Sequence, residues 1–181
     1  MQIRNTASSY GLVAIAIHWL VALAIFGLFG LGYWMVDLSY YHEWYKRAPD
    51  IHRSVGILLL AVMVFRIIWK VLSVSPVSPP GHKPWEIRSA HLLHALVYVL
   101  ILVAMASGYL ISTADGSSIS VFGWFEVPSV TGQIKGMEDV AGTVHYWTTW
   151  TIVGLALVHA AGALKHHLID RDNTLLRMLG K

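Results

Sequence analysis

From Gly11 to Val36 the chain carries no Asp, Glu, Lys or Arg, a stretch of 26 residues. A helix needs about 20 apolar residues to cross a hydrocarbon core ~30 Å thick, so this run alone can span a bilayer. Ser89 to Ala114 and Val140 to Leu164 are uncharged runs of similar length. A fourth run, Ser54 to Phe65, continues through Arg66 to Trp69. It reaches spanning length when Arg66 lies near a membrane surface, where long basic side chains snorkel. All four runs are apolar around the helical circumference, which leaves a soluble bundle without the polar face it needs. The first run is also too long for the core of a cleaved signal peptide and has no small-residue exit before Asp37. The expected fold is an all-α membrane protein, a four-transmembrane-helix bundle. Its helices are expected at about 11–36, 52–72, 89–113 and 140–165, in a single domain over residues 1–181.

The connections are read from turn-forming residues. Ser75-Pro76-Val77-Ser78-Pro79-Pro80-Gly81 cannot be helical, and Asp115-Gly116 marks a turn in the longest loop, Thr113 to Asp139. Of the 13 Lys and Arg, nine fall in the N-terminal segment, around the second connection and in the C-terminal tail. By the positive-inside rule both termini are cytoplasmic in a multi-pass protein. The net charge of +3 is too small and too dispersed to suggest a nucleic-acid partner.

With no cysteine, the chain cannot hold an iron–sulfur cluster, a zinc–thiolate site or a covalently attached c-type haem. It holds ten histidines instead. An imidazole inside a membrane needs a partner, because lipid offers none. His145 and His159 are fourteen residues apart on the fourth helix, close to four whole turns, so they share a face ~21 Å apart along the axis. That is too far for one metal ion and suits two cofactors, one near each surface. His52 on helix two matches the depth of His145, and His18 on helix one matches that of His159. The expected sites are therefore the pairs His18/His159 and His52/His145, each ligating the iron of a b-type haem. A bis-imidazole iron transfers electrons and has no position for oxygen.

The other polar groups near these depths keep more than one reading. His91 and His94 compete with His18 as ligands, contact haem propionates or a quinone, or pack at the interface. Arg53 and Arg66 are candidates for neutralising propionates by charge-assisted hydrogen bonds, and Arg66 with Lys70 reads equally as a snorkelling anchor. His42, His82, His166 and His167 are expected to be solvated or at headgroup level.

Several segments carry a family resemblance. They are Ile17-His18-Trp19-Leu20, then His52-Arg53-Ser54-Val55-Gly56-Ile57, Ala90-His91-Leu92-Leu93-His94, and His145 with His159. The tail Lys165-His166-His167-Leu168-Ile169-Asp170-Arg171-Asp172-Asn173-Thr174-Leu175-Leu176-Arg177-Met178 completes the set. In this order and spacing the chain resembles the bacterial cytochrome b561 family, and through it the cytochrome b subunits of hydrogenases and formate dehydrogenases. The resemblance implies two haem b groups, ligated in the same two pairs. It also implies the bacterial inner membrane, electron transport, and ubiquinone or menaquinone as a partner. In one branch it implies superoxide oxidation coupled to ubiquinone reduction. Two further functions stay open on the residues: a haem-bearing anchor that takes electrons from a separate dehydrogenase, and a histidine-lined metal or proton transporter.

Overall fold

The helices outrun the charge-free segments that announce them. In the computed structural model, which describes residues 2–79 and 81–181, the long helices are α1 (Leu12–Met35), α2 (Arg47–Leu72), α3 (Pro84–Thr113) and α4 (Met137–Leu168). Two short strands, β1 (Ile119–Val121) and β2 (Phe125–Val127), lie between α3 and α4, and a short α5 (Thr174–Met178) follows. All four long helices are long and apolar enough to cross a membrane, so the chain is a four-helix membrane protein. The charge-free criterion misses the helix ends because backbone hydrogen bonding continues past the hydrocarbon into the interface, where charges are solvated. Thus α2 starts at Arg47 rather than 52, and α3 opens on Pro84 rather than at 89. Proline suits that first position, where its missing N–H costs nothing. Glu86, two residues on, accepts the Lys83 backbone N–H at 2.9 Å, half of a capping box. The last turn of α4 carries Lys165, His166 and His167, cations placed favourably against the helix dipole. Of the proline-rich connection, Pro80 lies outside the described residues, and the flanking residues Val74–Pro79 are not helical.

The chain divides into two compact units, and each long helix contributes a segment to both. The first comprises Met1–Ala22, Val62–Tyr98 and Gly154–Lys181. Its two termini and the α2–α3 connection are tied by polar contacts. Asn5 Nδ2 donates to the Val74 carbonyl at 3.0 Å, and Arg177 donates to the carbonyls of Ser8 and Val77. Trp19 Nε1 donates to the Met178 carbonyl at 2.8 Å.

The second unit comprises Leu23–Ala61 and Val99–Val153. It holds nine of the twelve buried apolar residues among those described, against three (Ile15, Val21 and Met63) in the first. The excess comes partly from the loop after α3, which folds inward. Strands β1 and β2 pair antiparallel with Val121 opposite Phe125, and Ile119 and Val121 point inward. The hairpin turns at Phe122 and Gly123, both at positive φ as the central residues of a type I′ turn require, and the Trp124 N–H closes the turn on the Val121 carbonyl at 2.8 Å. Ser54 on α2, itself buried, accepts the Phe122 N–H at 3.0 Å and so pins this turn to the helix that carries His52. At the start of the loop Gly116 takes a φ of +86°, and Ser117 donates its hydroxyl and amide to Asp115. Those two hydrogen bonds hold the Asp115 carboxyl below its usual range.

Candidate functional site

Within the second unit, His52 on α2 faces His145 on α4 with ring centroids 6.2 Å apart and planes at 71°. Two imidazoles on opposite sides of one metal, each bonded at about 2 Å, hold their centroids roughly 6 Å apart. His145 Nδ1–H donates to the Ala104 carbonyl at 2.8 Å, with Ser107 Oγ 3.2 Å away. This commits Nδ1 and leaves Nε2 free, the usual condition of a ligating histidine. His52 Nδ1 is buried without a well-aligned hydrogen bond, the Leu28 carbonyl being the acceptor within its reach.

Both rings line a cavity of about 1340 Å³, walled by apolar side chains such as Leu28, Phe29, Ile57 and Ile101. Two glycines not singled out from the sequence make room for the rings. A Cβ on Gly32 would lie 3.1 Å from His52 Cε1, and one on Gly108 would lie 3.1 Å from His145 Cε1. Gly56 and Gly142 line the same cavity, and a Cβ on either would meet no neighbouring atom within 4 Å, so a side chain there would project into open space.

In the first unit, His18 and His159 repeat the spacing, with centroids 6.2 Å apart and planes at 63°. Their surroundings are different. Arg66 Nη2 donates to His18 Nδ1 at 3.2 Å, and its Nε donates to the Tyr98 hydroxyl at 2.7 Å. Lys70 Nζ lies 4.8 Å above the Tyr98 ring, a cation–π contact. His94 packs edge-on against His159 with centroids only 4.9 Å apart, too close for two rings on opposite sides of one metal. Distance therefore separates His18 from His94 as the group opposite His159. His91 is exposed and stays outside this cluster. Arg53 is exposed too, at the cavity mouth of the second unit, where it pairs with Asp50.

A sequence signal for the two glycines exists. His18 and Gly32, His94 and Gly108, His52 and Arg66, and His145 and His159 are all fourteen residues apart on their helices. Each helix thus presents one position to a first layer (His18, Arg66, His94, His159) and one to a second (Gly32, His52, Gly108, His145). The expectation of solvated histidines holds for the exposed His42 and fails for His82 and His166. The tail folds back onto the α2–α3 connection, so these two rings stack on each other beside Asp172 with side chains only 12% and 15% exposed.

A membrane bundle with two histidine pairs, each spaced for a metal between opposed imidazoles, defines the class of a membrane b-type cytochrome. The family model for prokaryotic cytochrome b561 matches residues 9–181, and the chain belongs to that family. It is 48% identical over 181 residues to cytochrome b561 homolog 2 of Escherichia coli (strain K12), covering 100% of this chain and 96% of that protein. Cytochrome b561 homolog 1 of the same organism is 30% identical over 170 residues, 91% of this chain and 93% of the relative. The probable superoxide oxidase CybB of Yersinia pestis is 31% identical over 180 residues, 95% and 96% of the two chains. The protein is accordingly a membrane electron-transfer protein of a haem b family. That membership displaces a metal or proton transporter as the reading of its histidines. The glycine-relieved rings, the committed Nδ1 of His145 and the apolar cavity fit a flat, non-covalently held macrocycle.

Proposed function

We propose that the chain binds two haem b groups, one between His52 and His145 and one between His18 and His159, and carries electrons across the bacterial inner membrane. The observation that carries this reading is the equal 6.2 Å separation of the two ring pairs. Held by these histidines, haem would supply one-electron chemistry. The protein's part is to hold and to tune. Ala104 fixes the His145 ring through its carbonyl, and Gly32 and Gly108 keep the ring edges free of side chains. At His18 the neutral ring accepts from Arg66 at Nδ1 and so carries its proton on Nε2. Were His18 to hold a metal through Nε2, its proton would sit on Nδ1 and Arg66 would be free to neutralise an acidic group of the cofactor.

By the positive-inside rule the termini and the first unit's polar cluster face the cytoplasm. A quinone on that side, near His94 and His91, and an electron donor or acceptor on the other complete the circuit. Superoxide, named for the Yersinia relative, is one candidate donor. The cavity mouth gives an anion no evident attraction, because Arg53 and Lys135 are set against Asp37, Asp115 and Glu138. A dehydrogenase subunit docking on the Thr113–Asp139 loop is the competing arrangement.

A reduced-minus-oxidised spectrum with a haem count on the purified chain tests the reading. Two haems per chain with bis-histidine spectra are expected, and one haem or none overturns it. Quinone reduction by the isolated chain with a small donor would sink the anchor-subunit alternative.

A further inference from the structure

A separate group of metal-binding side chains meets in the first unit, apart from the histidine pairs of the helices. His82 in the α2–α3 connection and His166 in the last turn of α4 stack with centroids 4.3 Å apart and planes 28° from parallel. Asp172, in the tail beyond α4, places Oδ2 2.8 Å from His82 Nε2 and 3.1 Å from His166 Nδ1. The three donor atoms all lie within 4.8 Å of one another.

Hydrogen bonding alone leaves this group incomplete. His166 Nδ1 is buried 2.8 Å from Asp170 Oδ2 and 3.1 Å from Asp172 Oδ2, yet makes no aligned hydrogen bond to either. At such distances the failure is one of direction: neither oxygen lies along the ring N–H. Asp170 is already engaged by Lys165 Nζ at 2.7 Å, and the same ammonium reaches Glu86 at 2.7 Å. Asp172 has no such lysine. Burial would raise its carboxyl, but the Thr174 hydroxyl and amide and the His82 ring outweigh it and hold it at about 2. The carboxylate is therefore anionic, with Oδ1 held by the Thr174 N–H at 2.8 Å and Oδ2 turned to the two rings.

We propose that His82 Nε2, His166 Nδ1 and Asp172 Oδ2 form a binding site for a divalent transition cation of the zinc type. Two imidazoles and one carboxylate suit zinc and its neighbours, whereas calcium and magnesium call for oxygen ligands alone. In a tetrahedral site with bonds of about 2.0–2.2 Å, donor atoms stand roughly 3.3 Å apart. The two Asp172 contacts therefore open by up to about half an ångström, and the stacked rings swing apart to aim both nitrogens at one ion. The protons on His82 Nε2 and His166 Nδ1 pass to the other nitrogen of each ring or to solvent as the metal enters. Water takes the fourth position, since Lys165 holds Asp170. The Thr174 amide orients the carboxylate from behind, as outer partners of metal ligands do. The bound ion would clamp the α2–α3 connection to the end of α4 and its tail. The site stands independently of the haem assignment.

The test uses full-length, haem-loaded protein in detergent, without a polyhistidine tag and stripped with chelator. Equilibrium dialysis against Zn²⁺ followed by metal analysis reads zinc, with iron in the same sample reporting the intact bundle. One zinc per chain is expected. His82→Gln and Asp172→Asn should lose it with iron unchanged, weakening affinity by more than the roughly 10–100-fold that loss of an outer partner costs. His42→Gln should keep it. Wild-type protein without stoichiometric zinc, or zinc retained in His82→Gln, overturns the proposal and leaves a hydrogen-bonded staple. Zinc-edge X-ray absorption on the wild type needs no variant: two imidazole ligands support the site, and a shell without imidazole overturns it.

Discussion

The two units solve one problem with opposite materials. Each opposes two histidine rings at 6.2 Å, but the second surrounds its pair with glycine and an apolar cavity. The first sets His94 and Arg66 against its pair, tied on to Tyr98 and Lys70. Where the second unit has Gly32 and Gly108, fourteen residues away the first has His18 and His94. The glycines leave the second pair's ring edges clear, where a Cβ would come within 3.1 Å. The first pair is set among polar contacts, which a metal held there, as proposed, would have to rearrange. On the proposed two-haem reading, the difference is between a site shaped for holding and one shaped for exchange.

The largest expected effect removes a layer outright. His145→Ala and His159→Ala should each lose one of two haems, read by the haem-to-protein ratio, and loss of neither would break the two-layer arrangement. A smaller but more pointed effect comes from exchanging materials. Gly108→Val, which puts a branched side chain where even one carbon sits 3.1 Å from His145, should lower occupancy of the second unit's haem and spare the other. His94→Ala should keep both haems while impairing quinone reduction. Loss of a haem there would make His94 the ligand and contradict the distance argument.

Arg66→Leu should leave both haems bound and lower the reduction potential of the first unit's haem by roughly tens of millivolts. A nearby cation favours the reduced state, and its Coulomb energy in a partly solvated site is on the order of a few kcal/mol or less. Redox titration resolves this, and two unchanged potentials would place Arg66 outside the haem's field. Smallest is Ser54→Ala, which strips the acceptor from the Phe122 N–H at a cost of about 1 kcal/mol. Faster proteolysis in the loop between α3 and α4, with the haem count kept, is the expected reading.

Much of this was legible in the chain itself. Charge-free runs announced four helices because hydrocarbon tolerates no unpaired charge, and the fourteen-residue interval on α4 announced two depths. The helix ends were less legible, since Arg47 and Glu86 are helical in spite of their charge. The hairpin was hidden because three-residue strands leave almost no alternation to read. His82 and His166 misled for a related reason. Local polarity marks a residue as solvated, and only a tail folded back across the connection covers most of it.

The order of residues along the chain thus settles the properties of single helices: how long each is, how apolar, and which side chains share its face. These follow from local hydrogen bonding and from periodicity, and they reach as far as the spacing of the paired histidines along their helices. The packing of one helix on another settles the rest. It sets which ring stands opposite which, puts His94 too near His159 and His18 at the proper distance, and lets two glycines clear the way. Such separations are differences of an ångström or so between side chains on different helices. No spacing along one chain encodes them without the contacts that set the helices side by side.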